Sequence, residues 1–563
     1  VRYVSALSAT GTDGSARWDA AWEGDLGSGK GWGFAMRRLT VVGLLAAGVV
    51  VAAGITPIAV AAPNPAPKAS ISWGACDDPN LADAGAECGL VSVPLDYAKP
   101  NGAKIKLAVS RIKHTVPDAK AQGVMVVNPG GPGASGLGLA TLGQYVPNGA
   151  GDFYDWIGFD PRGVGSSQPS ISCDPNYFGF ARPNYIPVQP SDLQAWLARS
   201  KGYADACRSN GPILSHMTTI DSAKDLDSIR AALGVKQINY YGFSYGTYLG
   251  QVYGTLFPSH VRRMVLDSNV DPRDVWYQAN LNQDIAFNQN IKIWFGWLAK
   301  YDNVYHLGTT EKAVETLFYK IQAKLTFHPA DGKIGGDEWV DIFLYAGYYQ
   351  QTWLDLGDAF SRYVHGNDVA NLEAEFLGAD GLGDDNGFAV YNAVQCTDVQ
   401  WPQKWSTWAH DNWATFAKAP FETWANAWYN APCLYWPAAA HAKKPMKIDG
   451  SKIKSALLID ETLDAATPYE GSLEVRKLFP HSSLIALPSG TSHANSLYGD
   501  ACLDDQIAAY LADGTLPARK SGNRADTTCA PLPVPVPDSA TAPAAVPAQG
   551  AARAAVRSVV RAR

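Results

Sequence analysis

Apolar and polar positions alternate in two early stretches, 91–95 and 104–111, and this pattern reads as a leading antiparallel hairpin with one wet face. The alternation then stops. Gly123-Val124-Met125-Val126-Val127 is continuously apolar, which suits a strand buried on both faces. Further short strands are read at 156–159, 237–241, 261–266, 455–459 and 483–487. Between them the period becomes helical. Ile220, Ala223, Leu226, Ile229 and Leu233 share one face of a helix over 219–233, with Gly234 placed to cap its end. A helix over 247–257 is stopped by Pro258, and a last one covers roughly 503–511. Strands alternating with helices predict a mostly parallel sheet in an α/β fold.

The texture changes between 273 and 447. This block is helical by pattern and holds 12 of the chain's 18 tryptophans. It carries 20 Asp and Glu against 13 Lys and Arg. It reads as a lid inserted between two sheet strands, so that 73–272 and 448–530 form the catalytic domain around it. The ends differ again. Residues 1–35 lack periodicity and read as an over-extended gene start. Met36-Arg37-Arg38, an apolar run over 39–54 and Ala59-Val60-Ala61 have the n-region, h-region and cleavage site of a signal peptide at 36–61. The twin arginine leaves Tat and Sec export both open. Residues 62–72 read as a linker or short propeptide. The Pro-, Ala- and Val-rich segment 531–563 has too little to bury and reads as a disordered tail.

At 563 residues with 47% hydrophobic composition the chain has enough apolar surface for two domains. A net charge of −7 argues against nucleic acid as a partner. Eight cysteines contain no CxxC pair, which disfavours a zinc ribbon. Their even number in a chain bearing an export signal suggests disulfides, and the simplest pairing is sequential: Cys76–Cys88, Cys173–Cys207, Cys396–Cys433 and Cys502–Cys529. Secretion to the extracellular space follows, as a monomer with no stable membrane association once the signal is removed. No metal or organic cofactor is implied.

The chemistry centres on Gly242-Phe243-Ser244-Tyr245-Gly246, a G-x-S-x-G between a strand and a helix. Such an elbow lifts the serine hydroxyl to the sheet edge, where the helix N-terminus favours developing negative charge. In a parallel sheet the remaining partners must lie at the same edge. His493 follows the 483–487 strand and sits at that edge, whereas His481 precedes the strand and sits at the other. Asp460, Glu461 and Asp464 all follow the 455–459 strand, and Asp464 is favoured because its loop has reach towards a histidine. Ser244 would then be nucleophile, His493 general base and Asp464 its orienting acid. The oxyanion donors are assigned to the Tyr245 backbone N–H and to the loop Asn128-Pro129-Gly130-Gly131-Pro132-Gly133, with Gly131 preferred.

These residues, with Asp160-Pro161-Arg162-Gly163-Val164-Gly165-Ser166-Ser167, Gln395-Cys396-Thr397-Asp398 and Asp464-Ala465-Ala466-Thr467-Pro468, resemble the proline iminopeptidase-like branch of the α/β-hydrolases, and within it the secreted bacterial tripeptidyl aminopeptidases. The resemblance spans roughly 73–530. It implies a serine exopeptidase that takes peptides or proteins by a free N-terminus under the lid and releases short peptides, tripeptides in the named branch. A prolyl aminopeptidase of the same fold and an esterase or lipase with the same triad are the alternatives. Two positions depart from the family: Ala465-Ala466 replaces a common Pro-Val, and Ala494 follows His493 where glycine is common. A cationic amine calls for carboxylates in the lid. Glu338, Asp341, Asp355, Asp358 and Asp398 are the candidates.

Overall fold

The structure is a computed structural model that describes residues 71–379 and 382–537. The gene start, the signal peptide and most of the linker and tail therefore lie outside the described residues. Ten strands make one sheet: β1 (Gly74–Ala75), β2 (Glu87–Pro94), β3 (Lys104–Ile112), β4 (Val124–Asn128), β5 (Asp155–Phe159), β6 (Ile238–Phe243), β7 (Val261–Asp267), β8 (Ala456–Glu461), β9 (Ser482–Leu487) and β10 (Thr527–Thr528). Their spatial order is β1-β2-β3-β5-β4-β6-β7-β8-β9-β10. The leading hairpin β2–β3 is antiparallel and joins β5 antiparallel, while every pairing from β5 through β4 to β10 is parallel.

The continuous apolar runs have the predicted cause. Along β4, Val124 and Val126 enter one hydrophobic cluster, and Met125 and Val127 enter another on the opposite face. Tyr240 and Tyr241 of β6 divide in the same way. A central strand buried on both faces is apolar at most positions, and the polar ones it keeps are hydrogen-bonded, as Asn239 Nδ2 is to Val124 O at 2.9 Å.

Helices between Tyr277 and Asn430 fall between β7 and β8 in the chain. They do not form one body. Helices from Tyr277–Lys300 to Val369–Ala379 close around their own aromatic cluster, built on Trp294, Phe318, Trp339, Phe343 and Phe360. The helix Asn386–Asp398 and the following Trp401 and Trp408 instead join the cluster that covers one face of the sheet. The inserted block is thus divided among hydrophobic clusters, its first helices closing on one and the helix Asn386–Asp398 joining the sheet's. Asn386 adds polar ties, its amide donating to Gly163 O and Ile171 O at 2.8 and 2.7 Å.

The four disulfides are Cys76–Cys88, Cys173–Cys207, Cys396–Cys433 and Cys502–Cys529, as sequential pairing gives, and no described cysteine is free. Residues 531–537, read from composition as the start of a disordered tail, lie against the helices: Trp297 Nε1 donates to Pro535 O at 2.9 Å. A proline-rich segment needs no core of its own, because its free carbonyls can accept from a surface donor. Among the described residues no helix is long and apolar enough to cross a membrane.

Candidate active site

Ser244 sits between β6 and the helix Tyr245–Leu256 at φ 54°, ψ −128°, a left-handed conformation that costs a non-glycine residue about 1–3 kcal/mol. The surroundings hold it there. Its N–H donates to Asp267 O at 3.1 Å, and its carbonyl accepts from Thr247 N and Thr247 Oγ1 at 2.8 and 2.6 Å. The glycine after Tyr245 is required by close approach: a Cβ on Gly246 would stand 2.6 Å from Asn128 O. Tyr245 is the first residue of the helix, so its N–H has no acceptor in the turn before it. The glycine loop lies directly against this turn. A Cβ on Gly130 would meet Ser244 Cβ and Tyr245 N, each at 2.9 Å. Gly130 N–H is committed to Asn128 Oδ1 at 3.1 Å, and Gly131 lines the same cavity as Ser244.

His493 is buried, 5% exposed, in the loop after β9. Its Nδ1 faces Asp464 Oδ2 at 2.8 Å and Oδ1 at 3.0 Å. A carboxylate at Nδ1 keeps the proton on that nitrogen and leaves Nε2 as an acceptor. Asp464 is fixed in turn by Ala466 N, Thr467 N and Thr467 Oγ1, at 2.9, 3.0 and 2.9 Å. Ala465 and Ala466 bury their methyl groups in the aromatic cluster of the inserted helices. Ala494 stands at φ 55°, which is the physical reason glycine suits that position.

The two strand ends are bound together by Asp267. Its main chain holds the Ser244 amide, while its Oδ2 accepts from Ser496 N and Oγ at 2.9 and 2.6 Å, three residues past His493. Next to it, Ser268 Oγ accepts Ala494 N at 2.8 Å. Glu461 grips the same loop from the other side, with Oε2 accepting Ser492 N at 2.5 Å and Oε1 accepting Asn495 Nδ2 at 2.8 Å. Burial dominates both acids and pushes their carboxyls up, Asp267 to about 6 and Glu461 to about 8. Asp460 stays with the strand, its Oδ2 accepting Ser472 Oγ at 2.5 Å.

Ser244 opens on a cavity of about 530 Å³ lined also by Tyr245, Trp276, Gln283, Tyr391 and Thr467. Gln283 and Tyr391 also line a smaller cavity of about 70 Å³, whose wall contains Asp341 and Glu422. Of the five expected amine-binding acids, only Asp341 reaches either cavity. There Arg182 pairs with it, and Tyr185 OH donates to it at 3.1 Å. Glu338 is buried and used, bonded to Arg182 Nε at 3.2 Å and to Gly335 N at 2.8 Å. Asp355 and Asp358 lie exposed on the helix Trp353–Gly366, with Asp358 paired to Arg362, and line neither cavity. Asp398 lies behind the cavity wall, bonded to Thr219 and Trp276.

Glu422 is the acid that the sequence did not single out. It is 5% exposed, and among the described residues its Oε1 has no hydrogen-bond partner. Burial first, then the charges of Asp284 and Asp341, hold its carboxyl well above the usual range. Asp284 is likewise lifted by burial, to about 8, against one donor from Asn426. A lone Glu at a helix start in a Trp-rich segment carries no local signal of such a role.

Comparison with known proteins identifies the fold and the family. A family model described as "alpha/beta hydrolase fold" matches residues 123–332, and one described as "TAP-like protein" matches 419–529. The chain is 43% identical to the tripeptidyl aminopeptidase of Streptomyces lividans over 84% of its length and 89% of that protein. It is 30% identical to the serine protease Hip1 of Mycobacterium tuberculosis, over 79% of this chain and 89% of that one. A carboxylesterase B of the same organism is also 30% identical, over 83% and 91%.

Proposed function

We propose, for a chain that belongs to the tripeptidyl aminopeptidase family of α/β-hydrolase serine peptidases, that it removes tripeptides from free N-termini and reads the terminal amine with Glu422. The observation that carries this reading is the unpartnered Glu422 Oε1 on the small cavity that shares Gln283 and Tyr391 with the nucleophile's cavity. Asp341 is already engaged by Arg182 and Tyr185 OH, whereas Glu422 Oε1 has no donor among the described residues, so Glu422 is the acid left for an incoming ammonium. The charge of an incoming ammonium offsets the burial that holds the Glu422 carboxyl up and draws it to the carboxylate, so that a charge-assisted hydrogen bond forms. An extended tripeptide spans roughly 10 Å, so this reading requires an amine site about that far from the nucleophile.

In this mechanism Ser244 Oγ attacks the third carbonyl while His493 Nε2 takes its proton. Asp464 holds the imidazole and stabilises the imidazolium. The Tyr245 and Gly131 amides receive the oxyanion. His493 then returns the proton to the leaving amine, and water releases the tripeptide from the acyl-enzyme by the same path. Four disulfides without a free cysteine among the described residues support a working place outside the reducing cytosol, and we assign the protein to the extracellular space.

The test offers a tripeptide anilide with a free amine, its N-acetylated form and a short-chain ester. The free peptide alone is expected to turn over efficiently, and Glu422→Gln is expected to raise its KM with little change in kcat. Equal cleavage of the acetylated peptide would overturn the amine site. Ester turnover without peptide turnover would place the chain beside its carboxylesterase relative.

A further inference from the structure

Asp398, expected from sequence to meet the substrate amine, has been drawn to another task. It ends the helix Asn386–Asp398, and three donors converge on it. Thr219 N donates to Oδ1 and Thr219 Oγ1 to Oδ2, both at 2.6 Å, and Trp276 Nε1 donates to Oδ2 at 3.2 Å. Thr219 is the first residue of the helix Thr219–Ala232, so the carboxylate also answers the positive end of that helix.

The proton directions beyond it are fixed by counting. The single hydroxyl proton of Thr219 is used on Asp398. Thr219 Oγ1 and Tyr245 OH lie 2.8 Å apart, so Tyr245 must be the donor and Thr219 the acceptor. A one-way chain therefore runs from Tyr245 O–H through Thr219 to Asp398. Its first member is the residue whose backbone N–H is assigned to the oxyanion. Trp276, the other residue tied to Asp398, lines the cavity with Ser244, and its ring lies 5.8 Å from that of Tyr245.

We propose that Asp398 is a positioning residue for catalysis, holding the oxyanion-binding turn through Thr219 and Tyr245 and the cavity wall beside Ser244 through Trp276. It touches no reacting atom. Its effect comes from orienting two groups that do touch the substrate. The helix that carries it is inserted after β7 and packs into the sheet's own cluster, so the insertion supplies part of the framework of the nucleophile. Burial lifts the Asp398 carboxyl to about 6 against the pull of its donors, and at neutral pH it remains the acceptor this arrangement needs.

The two arms separate experimentally. Thr219→Val and Tyr245→Phe each cut the hydroxyl chain while sparing Trp276 and the Tyr245 N–H. Each is expected to lower kcat roughly tenfold on every substrate with KM and P1 preference unchanged. The double variant should lose no more than Thr219→Val alone, because that change already removes the acceptor of the Tyr245 hydroxyl. Thr219→Ser keeps the hydroxyl and should recover kcat. Asp398→Asn should lower kcat and in addition flatten the preference among P1 side chains, since Trp276 is released as well. Wild-type kcat in folded Thr219→Val and Tyr245→Phe, or losses that multiply in the double variant, would overturn the proposal. An Asp398→Asn enzyme with an unchanged P1 profile would remove the Trp276 arm.

Discussion

Adding one methyl group at Gly130 tests the oxyanion assignment most directly. Gly130 has φ +103°, where alanine costs about 1–3 kcal/mol in backbone strain. The larger effect is steric. The new Cβ would stand 2.7 Å from Phe243 O, against ordinary contacts that begin near 3.4 Å, so the glycine loop must retreat by about 0.7 Å. All three nearest atoms belong to residues 243–245, and one is Tyr245 N itself. The methyl therefore pushes the Gly131 donor away and crowds the other donor at once. Loss of one oxyanion donor costs about 3 kcal/mol, or 10²–10³ in kcat. Gly130→Ala should fall in or below that range with KM nearly unchanged. The assay is steady-state cleavage of a free-amine tripeptide anilide, corrected for folded fraction by circular dichroism. A folded variant with kcat within threefold of wild type would refute the placement of the oxyanion beside this loop.

Ser244→Ala should abolish turnover and leave the melting temperature within a degree or two, because alanine keeps the left-handed strain at 244 and the hydroxyl has no side-chain partner among the described residues; residual full activity would remove Ser244 as nucleophile. Stability should fall as pH rises from about 4, the ordinary carboxyl value, to about 8. Asp267 and Asp398 are lifted to about 6 and Glu461 to about 8, so the native state holds protons that the unfolded chain has already lost, and this stability disappears as pH passes the folded values. Two units at Asp267 correspond to about 3 kcal/mol. Melting curves at constant ionic strength check the sign, a rising melting temperature over this window would contradict it, and Glu461→Gln should flatten its upper part. Replacing Cys396 and Cys433 together by serine opens a loop of sequence separation 37, which should cost about 2–5 kcal/mol. Because Glu422 lies inside that loop, the pair should also weaken the preference for a free amine over an acetylated one.

Much of the fold was written locally. Strands such as β4 and β8 are buried on both faces, and an apolar run that short and that unbroken is suited to little else than a central strand. The edge rule separated His493 from His481 because the side of a strand on which a residue falls follows from chain order alone. Loop reach separated Asp464 from Asp460, which is retained by Ser472. Other features depended on partners far along the chain. The role of Asp398 rests on Thr219, 179 residues away. Glu422 stands out only because its oxygen lacks a partner, and a missing bond leaves no trace in sequence. Strands β1 and β10, two residues each, are set by pairing with β2 and β9 and have no pattern of their own.

The disulfides have a consequence for how the molecule is made. Each cysteine is joined to its nearest neighbour along the chain, and no bridge encloses or crosses another. If the polypeptide meets an oxidant while it emerges from its N-terminal end, every second thiol to appear finds the correct mate already waiting and unclaimed. The order of appearance thus does the work that shuffling enzymes perform for proteins with interlaced bridges.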